Sequence, residues 1–314
     1  MKMRSENYLV TGGAGFIGSN IVEELVNRAQ KARVFDSFIT GKRENLEPFL
    51  ARIEVIKGDI RDKKALARAL KGIDYVIHQA ALRSVPKSVD DPFTTNDINV
   101  FGTLNLLMAA KKAGVKRVVY ASSSSVYGEA ERFPQRETDY VSPVSPYGVS
   151  KLAAENYCVT FARTFGLETV SLRYFNVFGP RQNPESKYSA VIPALLFTMA
   201  GGKPPVVNWD GEQSRDFTYV ANVVEANLRA CVAKGISGEI FNVACGTTTS
   251  VNDIVDGINK ILGTKIRAKY APKRKGDVRK TQADIGKMKR FLGIKNVIGF
   301  EEGMKLTVDW FKDR

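Results

Sequence analysis

Apolar residues fall in short blocks along the first half of the chain, separated by polar residues and turn formers. Tyr8-Leu9-Val10 is a continuous apolar run of buried-strand length, and Ile17, Ile21, Val22 and Leu25 then recur at helical spacing. Ala32–Asp36, Ile53–Ile56, Tyr75–His78, Arg117–Ala121 and Glu168–Tyr174 read as further strands. Helical patterns over Lys63–Leu70, Asp97–Ala113 and Tyr147–Phe165 stand between them, with Val100, Leu104, Leu107 and Met108 on one face of the second. Strands alternating with helices predict an α/β fold, a doubly wound parallel sheet. The pattern changes after Asn176. Gly179-Pro180, Gly201-Gly202 and Pro204-Pro205 interrupt it, and short helical patterns follow near Tyr188–Ala200, Val251–Leu262 and Asp284–Leu292. Phe217–Ala233 and Glu239–Val243, a helix and then a strand, are expected to return to the sheet. The expected organisation is therefore a large domain over 1–176, joined again by 217–245, and a smaller mixed lobe from 177–216 and 246–314.

Composition narrows the class without deciding it. At 314 residues, 44% hydrophobic and 25% charged, the chain has an ordinary globular composition. No apolar run approaches the ~20 residues of a membrane span. No charged-then-apolar leader precedes the first strand, so a cytoplasmic protein is expected. Cys158, Cys231 and Cys245 are scattered, which argues against a disulfide framework or a zinc site and predicts no metal. The net charge of +14 is dispersed, and its densest cluster, Lys273-Arg274-Lys275, is short. A solvated basic surface that attracts an anionic nucleotide explains this better than nucleic-acid binding.

The chemistry begins at the first strand end. Thr11-Gly12-Gly13-Ala14-Gly15-Phe16-Ile17-Gly18 places glycines three apart between a strand and a helix. Phosphate oxygens can approach backbone N–H groups at such a helix start only where no Cβ intervenes. The next strand ends in Asp36, 18 residues past Gly18, where a carboxylate would take the adenosine ribose hydroxyls and repel a 2′-phosphate. NAD is thus expected over NADP. Gly12, Asp36, Asp59, Ala80 and Ser122 all follow strand ends and should face one crevice. Further on, a serine run, Ser122 to Ser125, closes the fifth strand, and Tyr147 and Lys151 lie four apart on a helix, sharing a face. A phenol with a pKa near ~10 is a poor base at neutral pH. A neighbouring ammonium, plus the cationic nicotinamide, would favour its phenolate, which could then take a proton from a sugar hydroxyl.

Together these segments resemble the extended short-chain dehydrogenase/reductase family, and within it the nucleotide-sugar 4-epimerases, over nearly the whole chain. The resemblance implies a Rossmann-type sheet with NAD held by Gly12, Gly15, Phe16, Ile17 and Gly18, by Asp36, by Asp59 and Ile60 of Gly58-Asp59-Ile60, and by Ala80 of His78-Gln79-Ala80-Ala81. Asn99 matches a helix residue near the active site, and the resemblance implies that it contacts the cofactor along with Tyr147 and Lys151. Tyr147 and Lys151 match the catalytic pair, and counting back from Val126-Tyr127-Gly128 puts the catalytic Ser/Thr on Ser123, within its run of serines. The dehydratases and decarboxylases of the family carry an acid just before Val-Tyr-Gly. Here those positions are Ser124 and Ser125, which leaves epimerisation. His78, the one histidine, is expected to pack at a strand end.

The second lobe is similar to the family's UDP-sugar site. Asn176 would bond the phosphate or sugar, and Arg215 and Arg279 would grip the diphosphate, since a guanidinium chelates phosphate oxygens. Trp209 stands where the family usually has glycine. Thr281 occupies a place where a tyrosine resembles enzymes restricted to UDP-glucose and UDP-galactose, whereas a small residue leaves room for a 2-acetamido group. Ala190 and Val191, in Tyr188-Ser189-Ala190-Val191-Ile192-Pro193, also resemble the N-acetyl-accepting members, while Arg83 departs from the glycine of some of them. UDP-N-acetylglucosamine is the first expectation and UDP-glucose/galactose the second. The resemblance also implies a homodimer formed through helices that include the one bearing Tyr147. The reading from another class is an NAD-binding sensor or scaffold without turnover. Intact Ser123, Tyr147 and Lys151 argue against it.

Overall fold

Seven strands form one sheet in the computed structural model, which describes residues 6–183, 191–273 and 279–312. They are β1 (Asn7–Thr11), β2 (Lys31–Asp36), β3 (Ile53–Lys57), β4 (Tyr75–His78), β5 (Arg117–Ser123), β6 (Glu168–Tyr174) and β7 (Glu239–Val243). The order across the sheet is β7-β6-β5-β4-β1-β2-β3, and every neighbouring pair is parallel. This is the doubly wound sheet that the alternating pattern predicts. β7 joins it at the edge beside β6, as expected for the returning segment. The chain runs outward from β1 to β3, then crosses back to β4 on the other side of β1. The carboxyl ends of β1 and β4 therefore open onto the point where the winding reverses, the place where such sheets bind ligands.

Both faces of the sheet are covered, which is why its strands read as apolar runs rather than alternations. Successive residues point to opposite faces. Leu9, Phe35, Val76 and Val118 pack with Leu66, Leu107 and Phe161, from helices α2 (Lys63–Ala69), α3 (Gly102–Ala113) and α4 (Pro146–Thr164). Val10, Val34, Ile77 and Val119 pack on the other face with Ile21 and Leu25 of α1 (Phe16–Asn27) and Val223 of α5 (Val220–Val232). That second layer continues through Ile192, Ile254, Met288 and Val308 into the carboxyl-terminal third.

Several boundaries move from the sequence expectation. The predicted helix Asp97–Ala113 begins with a wider π-type turn over Asp97–Phe101, and the α-helix proper starts at Gly102. Helix α4 opens at Pro146, one residue early, because the Ser145 hydroxyl accepts the Gly148 N–H at 3.1 Å and proline suits the first turn. The Phe217–Ala233 pattern splits into a short strand, Thr218–Tyr219, and α5. Short helices over Val85–Asp90 and Pro92–Asn96 and a longer one over Phe300–Lys312 have no counterpart in the expected elements. Among the described residues, no helix is long and apolar enough to cross a membrane.

Candidate active site

Between β1 and α1 the chain turns tightly against the end of β4. Gly12 has φ +68°, and a Cβ there would stand 2.7 Å from the Ala80 nitrogen. A Cβ on Gly18 would stand 2.2 Å from the Gly12 carbonyl oxygen. Neither position tolerates a side chain, so the turn lies flat beneath a cavity of about 410 Å³, which is ligand-sized. Gly12, Gly15, Phe16, Ile17 and Gly18 line this cavity, as do Asp36, Asp59, Ile60 and Ala80. No side chain caps the α1 start, so its first N–H groups remain for an anion.

Asp36 is buried at the end of β2. Its Oδ2 accepts the Ala14 N–H at 2.9 Å and its Oδ1 the Phe38 N–H at 2.8 Å, which leaves lone pairs for hydroxyl donors. Burial raises its pKa, and the two N–H bonds oppose that rise. Asp59 is held by its neighbour: the Arg61 guanidinium donates to both its oxygens, at 3.0 and 2.6 Å, and lowers its pKa. Asn99 does not line the cavity. It is buried behind the wall, where its amide accepts the Leu82 N–H at 2.8 Å and donates to the Leu82 carbonyl at 3.0 Å. Its work is to hold the segment that carries Arg83.

At the other end of the same cavity stand Arg83, Ser123, Tyr147 and Lys151. Helix α4 presents Tyr147 and Lys151 one turn apart, and the Tyr147 N–H is held by the Ser88 hydroxyl at 3.0 Å. Lys151 is buried and donates from Nζ to the Ala121 carbonyl at 2.8 Å. Burial pushes its pKa down to about 7. The Tyr147 phenol is pushed up by burial and drawn back by a hydrogen bond with Ser123 and by the charge of Arg83. Lys151 is anchored to the strand, with Nζ 5.9 Å from the Tyr147 ring centre, and desolvation disfavours its charged form.

The serine run sorts itself by hydrogen bonding. Ser122 donates to Glu155 at 2.6 Å, whereas Ser123 accepts the Ser125 N–H at 3.1 Å and meets Tyr147. Glu155 lies one turn beyond Lys151 on α4 and forms a fully buried ion pair with Arg173, at 2.7 Å. His78 packs at the β4 end as expected. Thr11 Oγ1 lies 2.6 Å from Nδ1 and Thr103 Oγ1 3.0 Å from Nε2, and burial lowers its pKa to about 3, so the ring is neutral and occupied.

A second cavity, of about 240 Å³, adjoins the first through Asn176. Val191, Asn208, Gln213, Arg215 and Phe217 line it. Asn176 takes the left-handed backbone, φ 29°, which asparagine tolerates better than most residues. Its amide donates to the Asp216 carbonyl at 3.1 Å and to the Thr281 hydroxyl at 3.3 Å. Thr281 thus reaches the junction through Asn176 and lines neither cavity. Arg215 faces the second cavity, while its Nη1 donates to the Ser214 carbonyl at 2.9 Å. Arg279 stands outside it. Its Nη1 donates to both Asp210 oxygens, at 2.9 and 2.7 Å, and its guanidinium lies 4.7 Å from the Trp209 ring centre. Trp209 has φ 64°, a conformation that suits glycine. Ala190 lies outside the described residues. Among the described residues, no cluster of side chains is arranged to hold a metal.

The residues that sequence reasoning missed are supporting ones: Ser88, Glu155 with Arg173, and Asp216. Glu155 had a signal in its spacing, since Tyr147, Lys151 and Glu155 fall on one stripe of α4. Ser88 and Asp216 act across long sequence separations, for which one sequence carries no signal.

Residues 8–244 match the NAD dependent epimerase/dehydratase family. A putative UDP-glucose 4-epimerase of Methanocaldococcus jannaschii is 40% identical over 97% of this chain and 98% of that protein. The structure of the UDP-N-acetylglucosamine 4-epimerase from Methanobrevibacter ruminantium M1, in complex with UDP-N-acetylmuramic acid, superposes with a TM-score of 0.94 at 40% identity, covering 99% of each chain. The Thermus thermophilus UDP-glucose 4-epimerase in complex with NAD gives 0.88 at 36% identity, covering 98% of this chain and 99% of that one.

Proposed function

The chain belongs to the NAD dependent epimerase/dehydratase family, and from that premise we propose that it inverts C4 of a UDP-hexose through a 4-keto sugar, with UDP-N-acetylglucosamine and UDP-N-acetylgalactosamine as the favoured pair. One observation carries the reading: Ser123 and Tyr147 face the cavity that the glycine turn and Asp36 also line, and Asn176 joins it to a second cavity holding Arg215. The cofactor is NAD, and when bound it supplies a reversible acceptor for the C4 hydrogen as hydride. Gly12, Gly15, Phe16, Ile17, Gly18, Asp36, Asp59, Ile60, Ala80 and Lys151 would hold it.

The chain's own residues then have separable tasks. Ser123 fixes the C4 hydroxyl, and Tyr147 takes its proton as the keto sugar forms and returns it on reduction from the opposite face. Arg215 binds the diphosphate, and Arg279 joins it by leaving Asp210. Ser124 and Ser125 stand where an elimination or decarboxylation would need an acid. The 2-acetamido preference is supported by the small Thr281 beside Asn176, and by likeness to the Methanobrevibacter ruminantium enzyme. The names of the other two relatives favour UDP-glucose and UDP-galactose, which stand as the second reading.

Relative kcat/KM for UDP-N-acetylglucosamine and UDP-glucose, in the wild type and in Thr281→Tyr, tests the choice. A phenol ring beside Asn176 overpacks the site by about 1–3 kcal/mol, and each ~1.4 kcal/mol is tenfold in rate. The substitution should depress turnover of the N-acetylated sugar by roughly ten- to a hundredfold and spare UDP-glucose. Equal loss on both sugars, or a wild type confined to UDP-glucose, would overturn the preference.

A further inference from the structure

Asp216 is fully buried immediately after Arg215, and its carboxylate collects three backbone N–H groups. Oδ1 accepts from Cys245 at 2.9 Å, and Oδ2 from Gly246 at 2.9 Å and Ala283 at 3.2 Å. Cys245 and Gly246 follow β7. Ala283 lies two residues beyond Thr281. The Asp216 carbonyl meanwhile accepts the Asn176 amide, and that same amide reaches Thr281. One residue therefore ties three separate segments at the junction of the two cavities. The bonds hold the carboxylate against strong desolvation, which pushes its pKa up to about 6. A serine or asparagine would suffice for an ordinary turn, whereas three convergent N–H groups from two segments match a carboxylate.

We propose that Asp216 is a positioning residue for the sugar half of the site, setting where Asn176 and Thr281 stand relative to Arg215. The inference rests on the UDP-sugar reading. It predicts that disturbing the carboxylate alters recognition of the sugar and leaves recognition of the nucleotide and of NAD in place. Asp216→Asn keeps the shape but turns an NH₂ toward at least one of the three N–H donors, so part of the clamp opens. Ala283→Pro deletes the N–H that reaches Asp216 from the Thr281 segment, and it also fixes φ there and restricts Gln282.

Calorimetric titration of the NAD-loaded protein with UDP-N-acetylglucosamine and with UDP alone reads the effect. Asp216→Asn should bind UDP-N-acetylglucosamine about tenfold more weakly, with UDP and NAD affinities within about twofold of wild type. Ala283→Pro should move the same ratio in the same direction by about threefold, and it serves if the first variant does not fold. Parallel loss of UDP, NAD and UDP-N-acetylglucosamine affinity would show a purely structural role, and unchanged affinities would show no role; either overturns the proposal. A wild type that binds the UDP-sugar without converting it would overturn the epimerase reading alone. A wild type that binds UDP and not the UDP-sugar would overturn both.

Discussion

A tyrosine serves as a base only where its surroundings favour the phenolate, and Tyr147 is pulled both ways. Burial raises its pKa, and Ser123 and Arg83 lower it. Tyr147→Phe keeps the ring and removes the proton acceptor. It should cut epimerisation by ~10²–10⁴-fold while UDP affinity stays near wild type. Near-normal turnover would place the base elsewhere. Lys151 makes a thermodynamic prediction. It titrates at about 7 in the folded protein, against ~10.4 in an unfolded chain. Between those values the unfolded chain binds more protons, so the lysine's contribution to stability is fully present above ~10.4 and lost as pH falls through about 7. Lys151→Met removes that penalty. The melting temperature of the cofactor-free variant, relative to wild type, should therefore be more favourable at pH 6 than at pH 10, although catalysis is lost. The hydrogen bond to Ala121 is forfeited at both pH values and is worth more at pH 6, where the ammonium donates it, so the difference read is the desolvation penalty less that excess. A difference independent of pH would show that the ammonium is not penalised.

At the scale of elements, what was legible is what repeats. β1, β2 and β4 to β7 carry runs of buried residues, while the edge strand β3 is only part-buried, and the glycine turn and Asp36 announce their use by residue type and spacing. Tyr147 and Lys151 share a helix face by number alone. The strand pairs Val177–Phe178 with Thr218–Tyr219 and Ser214–Arg215 with Thr249–Ser250 were beyond reading, because two residues cannot display a period. The helix Phe300–Lys312 does carry apolar residues at helical spacing, Phe300, Met304, Val308 and Phe311, and an acidic first turn, Glu301 and Glu302, but no Ser, Thr, Asp or Asn stands immediately before it. The part of the site least legible is the direction of its long side chains. Nothing near Arg279 in the sequence shows that it lies on Asp210 and Trp209, nor that Lys151 is turned onto the Ala121 carbonyl. Both depend on partners brought close only by folding.

At the scale of the molecule, the helices around the active site leave apolar side chains in water. Phe93 is 87% exposed, and Val89, Phe101, Met108, Val149 and Tyr157 are exposed on the neighbouring helices, including α4. We propose that a second copy of the chain covers this surface, so that the helix bearing Tyr147 and Lys151 is buttressed from outside. Light scattering should give a two-chain mass, and Phe93→Asp should shift it toward one chain; a one-chain mass for the wild type would contradict this.

The central claim is that the C4 hydrogen leaves and returns inside one closed site, with nothing consumed. The most direct measurement uses UDP-N-acetylglucosamine deuterated at C4, incubated with the NAD-loaded protein in ordinary water and no added reductant, followed by resolution of the epimers by mass and NMR. The account predicts a mixture of UDP-N-acetylglucosamine and UDP-N-acetylgalactosamine with deuterium retained at C4 in both. Loss of deuterium to water, a 6-deoxy product, or an unchanged substrate would contradict it.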